Sequence, residues 1–501
     1  MNSFMNNLNR ATNYSVTENG ALSHKTTMSA VLDLFAFGGA YRSRSDADCI
    51  VLFKEAFEED PELALKCLFY LRDIRGGQGE RRFFRVCFRW LADNRTKAAI
   101  RNLDNVSEYG RWDDLIYACE GTAVESKAFA VVKHQLALDV QCKTPSLLAK
   151  WMPSENASSK ETSRVANKLR NYLGMSHKEY RKTLSVLRSR INIVEKLMSE
   201  NRWDEIEFDK LPSKAGLIYK NAFARRDILA KKYEAFAKDK TTKVNAAALY
   251  PYEIVAKVTK GAYSCINLNS FTDTDRAMLE KYWENQVDVL AGAPCKMLCV
   301  CDTSGSMTGS NADAPINIAI GLAMYCAERI EGPFKNQYIS FSSRPQLIKI
   351  QGVDFADKVK RIYDTNLCDN TDLVKTFDLI LNAARQSKPE DIPETIVVIS
   401  DMEIDSATGS GYWDRTGRWT QNGAVTEMEA MQRKWAAYGL KCPKLVYWNV
   451  QARQNRVLDL SENVSFVSGA SPTIFKQVAT GKTGYDLMLE VLQSERYANV
   501  Q

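Results

Sequence analysis

The chain has 501 residues, 45% of them hydrophobic and 26% charged, which is too long for one compact core and too close to globular averages for a disordered or collagenous protein. Its formal net charge of +6 is too mild to imply nucleic acid by itself, but about +11 falls between Gln141 and Lys243, leaving about −5 for the rest. No run approaches about 18 apolar residues, and the opening MNSFMNNLNRATNYSV lacks the basic-then-apolar order of a secretory signal, so the expectation is a cytoplasmic protein with no membrane partner.

From about Met28 to Gly292 apolar residues recur at helical spacing. Leu63, Leu65, Cys67, Leu68 and Leu71 form one such face and Phe83, Phe84, Val86, Cys87, Phe88 and Leu91 the next, predicting two antiparallel helices. The break between them, from Arg75 to Arg81, holds three glycines, which suit a tight helix-helix turn because they reach positive φ without a Cβ clash. Its Gly-x-Gly string is not a phosphate cradle, because no strand precedes it; an ion-pair network through Glu80 and Arg81 is expected instead. Further helices are predicted at 125–140, 160–173, 177–201, 219–238 and 275–291. Helical hairpins without intervening strands point to an α-solenoid or bundle, although no strict fixed-period repeat is present.

After Ala293-Pro294 the pattern alternates. Strands are predicted at 296–302, 337–341, 346–350, 395–400, 444–450 and 464–467, with helices at 315–330, 354–362, 372–385, 425–438 and 483–494. This βαβ order predicts a mostly parallel, doubly wound sheet. Residues 405–423, rich in Gly, Ser, Thr and Trp, read as an exposed insertion loop. Twelve cysteines scattered from Cys49 to Cys442 read as free thiols, and three dispersed histidines, His24, His134 and His177, argue against zinc.

Ligands of doubly wound sheets bind beyond the carboxyl ends of the strands, at the switch point. The first predicted strand ends there in Asp302, followed by Ser304 and Ser306, which places a carboxylate and two hydroxyls around one point, as a hard cation requires. Two later strand ends offer Thr371, just before a helix, and Asp401; Asp369 and Asp372 compete for the same place. The rival reading of these residues is an Asx-turn and helix N-cap. Hydrolysis is disfavoured, since this half of the chain has no histidine to act as a base for Ser304.

The Asp302-x-Ser304-x-Ser306 motif, with distant Thr371 and Asp401, resembles the metal-ion-dependent adhesion site of the von Willebrand factor A family. That resemblance implies one magnesium or manganese ion, whose coordination a partner's carboxylate completes, and binding rather than turnover.

The other half resembles the TROVE module of the Ro autoantigen family. The residues that carry the resemblance are Leu71-Arg-Asp-Ile-Arg-Gly-Gly-Gln-Gly-Glu-Arg81, Tyr109-Gly-Arg-Trp-Asp113, Leu148-Ala-Lys-Trp-Met-Pro153, and Leu173-Gly-Met-Ser176 leading to Tyr180-Arg-Lys182. Ser400-Asp-Met-Glu403 and Val446-Tyr-Trp-Asn449 fit the phage, bacterial and plant branch. The resemblance implies an all-α ring of HEAT-like repeats over 1–292, then an α/β von Willebrand factor A domain over 293–501 that touches helices within about the first sixty residues. It also implies small structured RNA on an outer basic surface and single-stranded RNA ends in the ring's hole.

Lys160, Arg164 and Lys168, then Lys178, Arg181, Lys182 and Arg188, recur at three- and four-residue spacing, which aligns them on helix faces able to meet successive phosphates. Tyr172 and Tyr180 lie nearby and could stack bases, though each alone reads as core. The expected function is an RNA-binding, non-enzymatic ribonucleoprotein subunit, with a nuclease or other protein docking at the A domain. The alternative is a metal-dependent protein-binding or virion-associated structural module.

Overall fold

The computed structural model describes residues 12–17, 22–191, 193–259, 266–292, 296–365, 371–404, 411–413, 419–421, 427–453, 457–458 and 460–501. Packing divides the chain into two compact units. The first comprises Met1–Ser45, Lys54–Asp60 and Leu249–Leu492, and the second Asp46–Phe53, Pro61–Ala248 and Gln493–Gln501. The expected split of 1–292 from 293–501 follows chain order, whereas the compact units interleave. The reason lies in burial, because segments on both sides of the helical stretch cover apolar faces of the α/β layer.

The first unit opens with a hairpin, β1 (Tyr14–Val16) and β2 (Leu22–His24), which three-residue strands are too short to announce as a periodicity. The central strands follow as β3 (Met297–Asp302), β4 (Gln337–Phe341), β5 (Leu347–Lys349) and β6 (Thr395–Ser400). A separate antiparallel pair, β7 (Gly411–Trp413) and β8 (Trp419–Gln421), lies within the predicted insertion loop; most of that loop is outside the described residues. β9 (Lys444–Asn449) and β10 (Val464–Ser468) complete a six-stranded sheet of order β10-β9-β6-β3-β4-β5. All its pairings are parallel except β4 with β5.

Every residue of β3 and of β6 is buried, as expected for strands covered on both faces. Helix Pro315–Arg329 covers β3 and is itself covered by helix Pro251–Thr259, while helix Ala30–Phe37 packs on β10. The sheet therefore does meet a helix from the first sixty residues. The chain leaves β3 toward β4 and β5, then returns to the other side of β3 for β6, β9 and β10. The strand-end crevice of β3 and β6 is thus the topological switch point.

The second unit is helical, and its helices pack chiefly on close neighbours in the chain, as in solenoids. Helix Lys160–Leu173 has the predicted bounds. The predicted helix 177–201 is instead His177–Ile191 and Val194–Ser199, and 219–238 is Ser213–Ala224 and Asp227–Lys238. Periodicity carries across such bends. The second break lets Phe223 and Tyr233 pack their rings on Phe208 from two helices, at 5.4 and 5.0 Å between centroids.

The four resemblance motifs of the helical half meet inside this unit. In the first, Gly77 runs so close to the preceding helix that a Cβ would lie 1.8 Å from the Tyr70 carbonyl oxygen, which only glycine permits. Arg72, 3% exposed, donates through Nε and Nη2 to Asp114 Oδ2 at 2.8 and 2.6 Å. Arg85 Nε donates to the other Asp114 oxygen at 2.6 Å and its Nη2 pairs with Asp113 at 2.7 Å; Arg111 Nε also donates to Asp113, at 2.8 Å. Gly110 belongs to the same design, since a Cβ there would sit 2.8 Å from Asp114 Oδ2. The Arg111 guanidinium stacks over Trp151 of the third motif, 3.8 Å from the ring centroid. Tyr180 of the fourth donates to the Pro153 carbonyl at 2.8 Å. The network thus runs through Arg72, Arg85 and Arg111, and the expected Arg81 feels the charges of its Asp113 and Asp114.

Candidate cation site and basic helix face

The five predicted cation ligands all lie at the carboxyl end of the sheet. Asp302, the last residue of β3, is fully buried; Asp401, directly after β6, is 2% exposed and Thr371 is 3% exposed. Asp302 Oδ1 accepts from Ser304 N at 2.9 Å, so the Asx-turn of the rival reading is present. The N-cap half of that reading is absent, because the short 3-10 helix Gly305–Met307 has Ser304 at its cap position without a side-chain bond. The hydroxyls of Ser304 and Ser306 lie 3.0 Å apart. Asp401 Oδ1 accepts from Glu403 N at 3.3 Å, and Thr371 Oγ1 donates to the Glu403 carbonyl at 3.2 Å; Thr371 stands between helices Phe355–Asp364 and Leu373–Ala384 rather than at the expected strand end, and this bond ties its loop to the end of β6. Asp372 caps helix Leu373–Ala384 by accepting from Lys375 N, which engages that competitor elsewhere. Asp369 lies outside the described residues.

The donor chemistry fits a small hard cation. The set is two carboxylates and three hydroxyls, with no nitrogen or sulfur, and its formal charge of −2 matches a divalent ion. Electrostatics point the same way. Burial first, and the nearby Asp401 charge second, push the Asp302 carboxyl up to about 7, against hydrogen bonds from Ser400 and Ser304. Among the described residues no group of three or more His, Cys, Asp and Glu could hold a metal, so a cation here depends on the hydroxyls.

Several site residues escaped the sequence reading. Ser400 Oγ donates to Asp302 Oδ2 at 2.5 Å and accepts from Met402 N at 3.1 Å, tying β3 to β6. Met402 adopts φ +66°, a left-handed backbone that costs a non-glycine residue energy and marks a turn held by its surroundings. Arg453, after β9, donates through Nη2 to the Ser306 carbonyl at 2.6 Å and places Nε 3.5 Å from Asp401 Oδ2. The N-terminal segment braces these loops: Thr17 Oγ1 donates to the Ile404 carbonyl at 2.8 Å, and Ala452 N to the Ala40 carbonyl at 3.0 Å. A Ser at the end of β6 was visible in the sequence. The partners of Arg453 and Thr17 were not, because they are far away in the chain.

The basic face of the helical unit is only partly available. Arg164 forms a two-pronged pair with Glu120 at 2.7 and 3.1 Å, and Lys168 pairs with Glu120 at 3.1 Å and Glu125 at 2.5 Å. Hydrogen bonds from Arg164 first, then Lys168, hold Glu120 down at about 2. Arg188 points inward and donates to the carbonyls of Ala149 and Met152 and to Ser154 Oγ, at 2.8, 2.9 and 3.0 Å. Lys160, Lys178, Arg181 and Lys182 are exposed. Tyr180 is core at 1% exposure; Tyr172 is 38% exposed, with its hydroxyl on the Ser126 carbonyl.

A family model described as a domain of unknown function, DUF2828, matches residues 17–135 and 139–293, more than half of the chain. The chain belongs to the DUF2828 family. In this DUF2828 member a second model, described as a domain of unknown function, DUF7788, matches 296–495 and so contains all five predicted cation ligands. The chain is similar to the uncharacterized protein L728 of Acanthamoeba polyphaga mimivirus, 29% identical over 96% of this chain and 87% of that protein. Among solved structures it is similar to the Ro (RSR) protein of Deinococcus radiodurans, with a TM-score of 0.49 and 15% identity over 91% of this chain and 100% of that one. No helix among the described residues is long and apolar enough to cross a membrane.

Proposed function

We propose that this protein is an RNA-binding, non-enzymatic, cytoplasmic ribonucleoprotein subunit, taking small structured RNA or RNA ends on its helical unit and holding one magnesium or manganese ion at the strand ends of its α/β unit. The observation that carries the RNA reading is charge without enough internal compensation. From Lys160 to Ile191 the chain has nine Lys or Arg and two Glu. Lys160, Lys178 and Lys182 are exposed and make no ion pair or hydrogen bond among the described residues. Such a face neutralises phosphates and binds RNA largely without reading its bases. The TROVE resemblance of the motifs around it supports the same reading. For the cation, support comes from the all-oxygen set of Asp302, Ser304, Ser306, Thr371 and Asp401. The hydroxyls of Ser304 and Ser306 face each other rather than a base, which favours binding over catalysis.

The test is a set of RNA-binding isotherms at several salt concentrations for the wild type, Arg181→Glu with Lys182→Glu, and Asp302→Ala. Wild-type affinity should fall with salt at a logarithmic slope of roughly −0.7 to −0.9 per phosphate contacted. The double reversal should weaken binding of unrelated RNAs by similar factors and flatten the slope, while Asp302→Ala should change little. Unchanged affinity and slope in the double reversal would favour a metal-dependent protein-binding module. The neutralisation of Arg164 and Lys168 by Glu120 is the observation on that side.

A further inference from the structure

Resting on the cation reading above, we infer that Arg453 is an internal counter-cation of the strand-end site: its guanidinium pairs with Asp401 until a divalent cation takes that carboxylate. The geometry places one positive group across the position that a cation needs. Arg453 Nη2 donates to the Ser306 carbonyl at 2.6 Å while Nε lies 3.5 Å from Asp401 Oδ2, so a single guanidinium spans the Asp-x-Ser-x-Ser loop and the end of β6. Asp302 and Asp401 lie at the ends of adjacent strands, and Asp302 has no ion pair among the described residues. Two carboxylates this deeply buried need positive charge nearby, and Arg453 supplies it from the chain itself.

The hold is of a kind that can be broken. A tight charge-assisted hydrogen bond runs about 2.7–2.9 Å, and the contact with Asp401 is longer, so it is an ion pair with little directional bonding. The Arg453 side chain is 36% exposed, which leaves it a route to water, while that of Asp401 is 1% exposed and stays. The backbone around Arg453 is pinned: Arg44 Nη1 donates to its carbonyl, Ala452 N donates to Ala40 O at 3.0 Å, and Gln451 N donates to Asn449 Oδ1 at 2.9 Å. Release therefore moves the side chain and not the loop. Because a guanidinium and a dication repel at the same carboxylate, each lowers the other's occupancy, and the coupling is reciprocal.

The experiment titrates Mn2+ into the full chain and follows loss of the free-ion electron paramagnetic resonance signal for the wild type, Arg453→Gln, Arg453→Lys and Asp401→Asn. Thermal unfolding of each variant establishes that it is folded. Arg453→Gln should bind Mn2+ about tenfold more tightly than the wild type, within the usual range of coupling between two ligands, with Arg453→Lys in between. Asp401→Asn should lose binding. On the unaltered protein, phenylglyoxal modification of Arg453, read by peptide mass spectrometry, should rise when Mn2+ is added. Folded Arg453→Gln with equal or weaker affinity, or labelling that Mn2+ leaves unchanged, overturns the inference while the cation site stands. If neither wild type nor Arg453→Gln takes up Mn2+ at millimolar concentration, the cation reading itself fails and the inference with it. Uptake by Arg453→Gln alone would show the guanidinium holding the site throughout.

Discussion

The helical unit and the α/β unit each bury a pair of carboxylates, and they compensate them differently. Asp113 and Asp114 lie among Arg72, Arg85 and Arg111. Asp302 has hydroxyl and backbone N–H donors and no ion pair among the described residues, and Asp401 meets the Arg453 guanidinium at 3.5 Å. Burial pushes both sites toward the neutral acid. At Asp113 the hydrogen bonds and charges of Arg111 and Arg85 outweigh it, and the carboxyl is held below its ordinary value. At Asp302 burial and the second carboxylate prevail, and it rises to about 7. A buried carboxylate matched by arginines of its own chain belongs to the fold. One such as Asp302, which has no ion pair among the described residues, is where an outside cation has most to offer.

The largest test of this contrast removes one acid of the matched pair. Asp114→Ala would strand the buried Arg72 and should cost about 3–5 kcal/mol in guanidinium unfolding. A loss below about 1 kcal/mol would mean that the network does not order the motifs.

Asp302 should behave oppositely. Without divalent ions Asp302→Asn should be no less stable than the wild type, since it removes a buried charge. With Mn2+ at roughly a hundred times its dissociation constant the wild type should gain about 2.7 kcal/mol and the variant none. Thermal unfolding with and without chelator decides this, and an equal gain in the variant would erase the distinction.

A third buried carboxylate, Asp33 of helix Ala30–Phe37, sharpens it further. Burial raises Asp33 to about 7 against hydrogen bonds from Thr27, and Glu59 and Glu55 add to the rise. A folded-state value above the unfolded one near 4 means that this contribution to stability is fully present below pH 4. It is lost as pH rises through about 7. In an Asp302→Asn background, which removes a shift of the same sign, stability should fall by on the order of 2 kcal/mol from pH 4 to 8, and Asp33→Asn should flatten that slope. Parallel slopes in the two proteins would refute it.

The smallest effect separates two members of the predicted basic stripe. Arg188→Gln should cost about 1–2 kcal/mol, because it leaves the carbonyls of Ala149 and Met152 without their donor, and should spare RNA affinity. Lys178→Gln should leave the melting temperature within about 2 °C and lower RNA affinity and its salt slope. Reversed outcomes would exchange the two roles.

Much of the architecture was legible in the chain. Short β-branched apolar runs such as Thr395–Ser400 suit strands covered on both faces, and the bounds of helix Lys160–Leu173 follow from spacing and from Gly174 at its end, which is left-handed at φ +72°. That Asp302, Ser304, Ser306 and Asp401 share one end of the sheet was legible because strand ends of a doubly wound sheet converge by topology, whereas Thr371 lies between two helices and reaches that end through the Glu403 carbonyl.

What the sequence could not decide is which charges the chain keeps for itself. Arg164 reads as one more cation on a helix face, yet its partner Glu120 is 44 residues away; the acceptor of Arg188 at Ala149 is 39 residues away, and that of Arg453 at Ser306 is 147 away. Local spacing determines which residues share a face, since backbone geometry repeats every few residues. Whether a charge on that face meets an opposite charge, a carbonyl or water depends on the segment packed against it, and only the tertiary structure chooses that segment.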